Sequence, residues 1–361
     1  MSENQNFASV PQPHHGARFF AAANSRAGFF NGYGAVFDAL RRLYIIKGGP
    51  GTGKSRFMEC VAAEAESLGY TVERIYCSSD PDSLDGVVIR ELDTGLADGT
   101  APHVLEAYRP GFRDELVNLG DFWKSEQLAA DTAVIERLNE EKSACYARAY
   151  RLLGTAGEFD DLLDELLAPA ILTDKLRKAA RGFARRIPAG SADGITLRFT
   201  DAMSMKGLCH LPTLEESASD LIKLEDRAGI AHFVYAAYAE ALLPRQRLLE
   251  SRSPLHPAQM DGLLLPEIGL ALVSDTHCAG KTPARTLHTR RFLDSDALAS
   301  TRQLRRFCVK SRTALLKEAC GALEEARNAH FALEELYSAA MNFRKKEEFT
   351  NKFITRLFKK K

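Results

Sequence analysis

A glycine-rich loop set between an apolar strand and an amphipathic helix, with self-similarity at a spacing of 176 residues, predicts an α/β protein built by tandem duplication. Each unit is expected to be a mostly parallel sheet flanked by helices and followed by a helical hairpin. The expected organisation is a loose arm over 1–16, a first unit over 17–190 with its hairpin near 123–170, a second over 191–345, and a basic helix over 346–361.

The loop lies in IIKGGPGTGKSRF, residues 45–57, and fits G-x-x-x-x-G-K-[ST] at Gly48, Gly53, Lys54 and Ser55. Residues 43–46 are a short β-prone run, and 56–68 carry apolar residues at helical spacing, so the loop joins a buried strand to a helix. This makes the units P-loop NTPase-like. Glycines let backbone N–H groups close around phosphate oxygens without Cβ clashes, at the positive end of a helix dipole. The candidate binding residues are Gly48, Gly49, Pro50, Gly51, Thr52, Gly53, Lys54, Ser55 and Arg56. Lys54 is placed to reach the β- and γ-phosphates and Ser55 to offer its hydroxyl to Mg2+, so the expected ligands are ATP and Mg2+.

Such a site also needs a carboxylate at the end of a neighbouring strand. Residues 92–97 read as that strand, making Asp98 the magnesium carboxylate, with Asp93 as its rival. The preceding run CSSDPDSLDG, 77–86, follows a strand expected over 71–76. It offers Asp80, Asp82 and Asp85 to a water or a substrate hydroxyl, although Ser-Asp-Pro-Asp is equally good turn chemistry. His103 follows Asp98 closely enough to sense a γ-phosphate or polarise a water, and a solvent-facing loop histidine is the alternative.

The repeat lays DGVVIRELDTGLADGT, 85–100, without a gap on DGLLLPEIGLALVSDT, 261–276. The register shifts to 180 upstream, where Arg18 meets Arg198, and to 170 downstream, where Phe122 meets Phe292. Carried through the glycine loop, the shift of 176 gives LEDRAGIA, 224–231, with Ile230 for Lys54 and Ala231 for Ser55. The second copy is therefore expected to bind no polyphosphate. Asp85, Gly86, Glu91 and Thr100 recur as Asp261, Gly262, Glu267 and Thr276, which suggests architectural roles. Lys54, Ser55, Asp80 and Asp98 do not recur, which marks them as functional.

In the helical stretch after the first sheet, a break is expected at 154–157, giving the hairpin. Arg109 and Arg113 could act on the γ-phosphate as an arginine finger, or simply be solvated. The stretch 185–196 reads as a linker. Each unit ends in a basic amphipathic helix, KLRKAARGFARRI from Lys175 and RKKEEFTNKFITRLFKKK from Arg344. These either dock their apolar faces on the protein or meet nucleic acid or an anionic membrane.

Lys+Arg and Asp+Glu are both 48, so no global field selects nucleic acid or membrane. The seven cysteines contain no C-x-x-C pair, and Cys209-His210 lacks partners nearby in sequence. Neither a disulfide framework nor a zinc site is expected, and a cytoplasmic setting is. No run is long and apolar enough to span a bilayer.

Read in order, RFF, IIKGGPGTGKS, CSSDPDSLDGVVI, DGTAPH and NLGDFW resemble a family of uncharacterised bacterial two-domain P-loop ATPases, over nearly the whole chain. The resemblance implies tandem P-loop folds and ATP binding, and no particular substrate. Some members keep a phosphate loop in the second half; LEDRAGIA departs from that pattern. The expectation is a slow ATPase with one competent site, Lys54, Asp98, Asp80 and His103 being the catalytic candidates. The inert copy could complete that site, with Arg227 as a donor. A small-molecule kinase and a non-enzymatic ATP-responsive adaptor remain alternatives, and homo-oligomerisation stays open.

Overall fold

The structure, a computed structural model, describes residues 16–191, 194–277 and 281–359. The arm expected over 1–16 lies almost wholly outside the described residues, as does part of the expected linker.

Two six-stranded sheets repeat one topology. The first runs Ala17–Phe20, Val72–Tyr76, Leu84–Ile89, Thr94–Asp98, Arg42–Lys47, Asp114–Asn118. The second runs Ile195–Arg198, Leu248–Arg252, Met260–Leu265, Leu270–Ser274, Asp220–Glu225, Arg285–His288. In each, the third strand is antiparallel to both neighbours and every other pairing is parallel. Gly86 and Gly262 recur in these third strands because a Cβ there would meet Phe37 at 2.5 Å or Leu214 at 2.6 Å. Both are packing glycines, as their recurrence suggested.

The duplication register needs correction outside these antiparallel strands. Gly86 pairs with Ala97 as Gly262 pairs with Val273, which keeps the spacing of 176 there. The strand Arg42–Lys47, however, matches Asp220–Glu225, and the ribbon Ala22–Ser25 with Gly28–Asn31 matches Asp201–Ser204 with Gly207–His210. After the glycine loop the buried face Phe57, Met58, Val61, Ala62, Ala65 matches Val234, Tyr235, Tyr238, Ala239, Leu242. Lys54 therefore corresponds to Ala231 and Ser55 to His232, because the second loop is one residue shorter.

The helical hairpins are not formed. Thr132–Leu167 is one continuous helix, and its antiparallel partner is the other half's long helix, Arg302–Ala339. Leu138 packs with Ala329 and Leu333, and Ala149 and Leu153 pack with Ala319, Ala322 and Leu323. Gly154 and Gly157 do not break the helix. They admit Arg26, whose Nε would lie 2.6 Å from a Cβ on Gly157, while its guanidinium forks onto Asp161 and reaches Glu158.

The basic helices are exchanged between halves. Thr173–Ala184 packs Leu176, Ala180 and Ala184 into a core that includes Val234, Tyr238 and Leu242 of the second half. Phe343–Phe358 packs Phe353 against Tyr44 and Phe57 of the first. Their lysines and arginines mostly stay in water while the apolar stripe is buried. A further core joins Phe19, Ile45 and Val88 to Leu221, Leu264 and Val273, and Phe20 and Phe199 exchange backbone hydrogen bonds at 2.9 and 3.1 Å. The boundary expected near 190 thus separates sequence repeats, not independent cores, and the one expected near 345 falls inside the helix Phe343–Phe358. Among the described residues no helix is long and apolar enough to cross a membrane.

Candidate functional site

The glycine loop leaves the carboxyl end of the strand Arg42–Lys47 and feeds the helix Lys54–Ser67. Gly48, Gly51 and Gly53 take φ of 154°, 68° and 77°, values an L side chain rarely adopts. Thr52 is fully buried and donates from Oγ1 to Gly49 O at 2.9 Å, which pins the turn. Lys54 folds back over the loop, its Nζ 2.8 Å from Gly48 O, 2.9 Å from Gly49 O and 3.5 Å from Asp98 Oδ2. Ser55 Oγ accepts from Leu84 N at 3.0 Å, and Arg56 is exposed.

Asp98 ends its strand beside Ile46, at the loop's edge of the sheet. Thr100 donates to its Oδ1 from both backbone N, at 2.8 Å, and Oγ1, at 2.5 Å. Burial raises the Asp98 carboxyl above its ordinary range, and Lys54 partly offsets this. The rival Asp93 stands at the opposite end of the strand, in a turn with φ 48°, accepting from Arg41 N.

Helices from the second half cover the loop. Ser338 Oγ donates to Gly51 O at 3.1 Å, and a Cβ on Gly51 would lie 2.5 Å from Glu334 O. A Cβ on Gly49 would meet Trp123 at 3.2 Å and Tyr337 at 3.4 Å, and one on Gly53 would lie 3.1 Å from Lys346 Nζ. Burial depresses the Lys346 ammonium, and burial with the charge of Lys54 depresses that of Lys142. Lysines 54 and 346, from two helices, thus meet at one helix N-terminus, with Lys142 near enough to Lys54 for the charges to repel, an arrangement suited to a multiply charged anion. Sequence reasoning missed Lys142 and Lys346 because they lie 88 and 292 residues downstream of Lys54.

His103 is neither solvent-facing nor free. It is 4% exposed, stacks on Tyr33 with centroids 4.8 Å apart, and brings Nε2 to 3.0 Å from Asp85 Oδ2. Burial pulls its pKa down, but Asp85 outweighs that and leaves it raised. Asp85, which recurrence marked as architectural, thus belongs to a buried polar group with His103 and Cys77. Burial pushes the Cys77 thiol and the Tyr33 hydroxyl well up, so both stay protonated. Asp80 is half-buried and closes its own turn, accepting from Ser83 Oγ at 2.6 Å, while Asp82 pairs with Lys206.

The arginine-finger expectation fails for Arg113. It is buried at the start of the strand Asp114–Asn118, the sheet end opposite the loop, donating to Phe37 O, Asp38 O, Leu40 O and Asp114. Arg109 is exposed beside it, its guanidinium 5.7 Å from the Tyr108 ring. Arg227 is also exposed and pairs with Glu225 at 3.0 Å on its own loop. The second half contributes to the first loop through Glu334, Tyr337, Ser338 and Lys346 instead.

The second loop carries its own anion. Asp226 accepts from Ala231 N at 2.6 Å, Gly229 N at 3.1 Å, Ala228 N at 3.3 Å and Thr289 Oγ1 at 2.8 Å. A carboxylate thus takes the first N–H of the helix Ala231–Leu242 and two from the loop before it, and Ile230 is fully buried in the core. Asp226→Ala is expected to cost about 1–3 kcal/mol in chemical denaturation through loss of these hydrogen bonds to a charged group. A change below about 0.3 kcal/mol would mean that water replaces the carboxylate.

Against protein-family models, curated proteins and solved structures, the chain has no match.

Proposed function

We propose that the chain is a Mg-ATP-binding P-loop NTPase, a slow ATPase with one competent site in the first half. The observation that carries this reading is the Lys54 ammonium held between the glycine-loop carbonyls and a buried carboxylate, Asp98, 3.5 Å away on the adjacent strand. That combination fits the demands of a magnesium-bound triphosphate. Loop N–H groups and Lys54 would hold the phosphates, and the Ser55 hydroxyl and Asp98 would hold Mg2+. The metal supplies charge neutralisation as the γ-phosphate leaves. Lys346 and Lys142 add positive charge from outside the motif, which makes the site composite between the halves.

The kinase alternative has less support, since Asp80 spends its side chain on its own turn and His103 is buried against Tyr33. The adaptor alternative loses its membrane-inserting surface, because the apolar faces of both basic helices are buried, and keeps only their exposed lysines and arginines. Calorimetric titration of the intact chain with Mg-ATP is expected to give one site, lost in Lys54→Ala. Two sites, or one that survives in Lys54→Ala, would refute the proposal.

A further inference from the structure

We infer that the second half carries a divalent transition-metal site, with zinc the best-matched ion, ligated by Asp201, His210 and His277. Asp201 opens the strand Asp201–Ser204, His210 closes its antiparallel partner Gly207–His210, and His277 ends the short turn Asp275–His277 beyond the strand Leu270–Ser274. One ligand atom from each lies within 4.8 Å of the other two. Asp201 bridges the pair, Oδ1 2.6 Å from His210 Nδ1 and Oδ2 3.5 Å from His277 Nε2, and the two imidazoles stack with centroids 3.9 Å apart.

Three further observations point to a cation. Glu215, 1% exposed, places Oε1 3.2 Å from His210 Nε2, while its Oε2 is buried with no hydrogen-bond partner. A carboxylate on the outer nitrogen of a histidine orients the ring and makes the inner nitrogen a better ligand, leaving His210 Nδ1 for the ion. Asp261 Oδ1 is also buried without a partner, so three carboxylates crowd two imidazoles. The nearby cation Lys281 spends Nζ on the carbonyls of Glu215 and Ala218, at 2.7 and 3.0 Å. Carboxylates buried at this density are expensive unless a cation, an imidazolium or a bound metal ion, balances them.

The first half is an internal control. At the cross-strand position of Asp201 and His210 in the matching ribbon stand Ala22 and Asn31. The ribbon donors are thus present in the second half alone, while the first half's cluster of Cys77, Asp85 and His103 draws on no ribbon residue. Imidazole and carboxylate without thiolate suit zinc or ferrous iron, and three protein ligands leave a coordination position open.

The test is titration of the full chain, stripped with chelator and free of nucleotide, with Zn2+ by calorimetry and with Co2+ by absorption. One equivalent of Zn2+ is expected, bound at least tenfold more weakly in Asp201→Asn and in His277→Ala and unchanged in Cys77→Ser. Two separate single variants guard against misfolding of either, with thermal melts as the check. Cobalt should give d–d bands without a thiolate charge-transfer band. Absence of saturable uptake, uptake unchanged in both folded variants, loss in Cys77→Ser, or a thiolate band would each overturn the assignment.

Discussion

Phe353→Ala is expected to lower the unfolding free energy by about 3–5 kcal/mol, the range for removing a large buried aromatic. Phe353 is 3% exposed, its ring 4.9 Å from Tyr44 and 5.0 Å from Phe57, with Phe349 one turn away over the same helix. The cavity would open between the C-terminal helix and the glycine-loop helix, which share a core though nearly 300 residues apart. Urea denaturation followed by far-UV circular dichroism measures it. A loss below about 1 kcal/mol would show the helix to be a detachable surface element. Since Lys346 rides on the same helix, weaker Mg-ATP binding in the variant should accompany the lost stability.

Asp98→Asn is expected to cut ATP hydrolysis by about 10²–10³-fold, the equivalent of several kcal/mol of metal-assisted charge stabilisation. The amide keeps the shape and can still accept from Thr100, so the fold should survive. Lys54 also retains its two carbonyl partners. The discriminating measurement is nucleotide affinity with and without Mg2+: the variant should bind metal-free ATP about as well as the native chain and lose the gain from magnesium. Undiminished magnesium dependence would reduce Asp98 to a prop for Lys54 and remove it from the proposed chemistry.

Local chemistry was legible in the sequence wherever a backbone conformation demands particular residues. The glycine loop needs positive φ at Gly51 and Gly53, and Asp98 follows a run whose pairing with Arg42–Lys47 puts it beside the loop. The repeat made it readable that the halves share one fold, although a shorter second loop displaced Lys54's counterpart from Ile230 to Ala231. What stayed hidden depends on contacts distant in sequence. Gly154 and Gly157 read as a helix break because nothing local reveals Arg26 lying across them. Arg113 read as a finger because spacing does not tell which end of a strand faces the loop. His210 read as isolated because its neighbours Asp201 and His277 meet it only through a ribbon and a distant turn.

The crossed packing of the terminal helices limits what either repeat can do alone. Stripped of its sibling, one unit would expose Tyr44 and Phe57, or Val234 and Leu242, to water, and would hold a helix of its own with nothing to lie on. The smallest self-sufficient form of this unit is therefore a pair, as in exchange-type dimers, here made permanent by a covalent join. Such a join keeps the shared scaffold intact while freeing each member to diverge in chemistry, because a change in one loop's polar residues costs the partnership none of its buried surface.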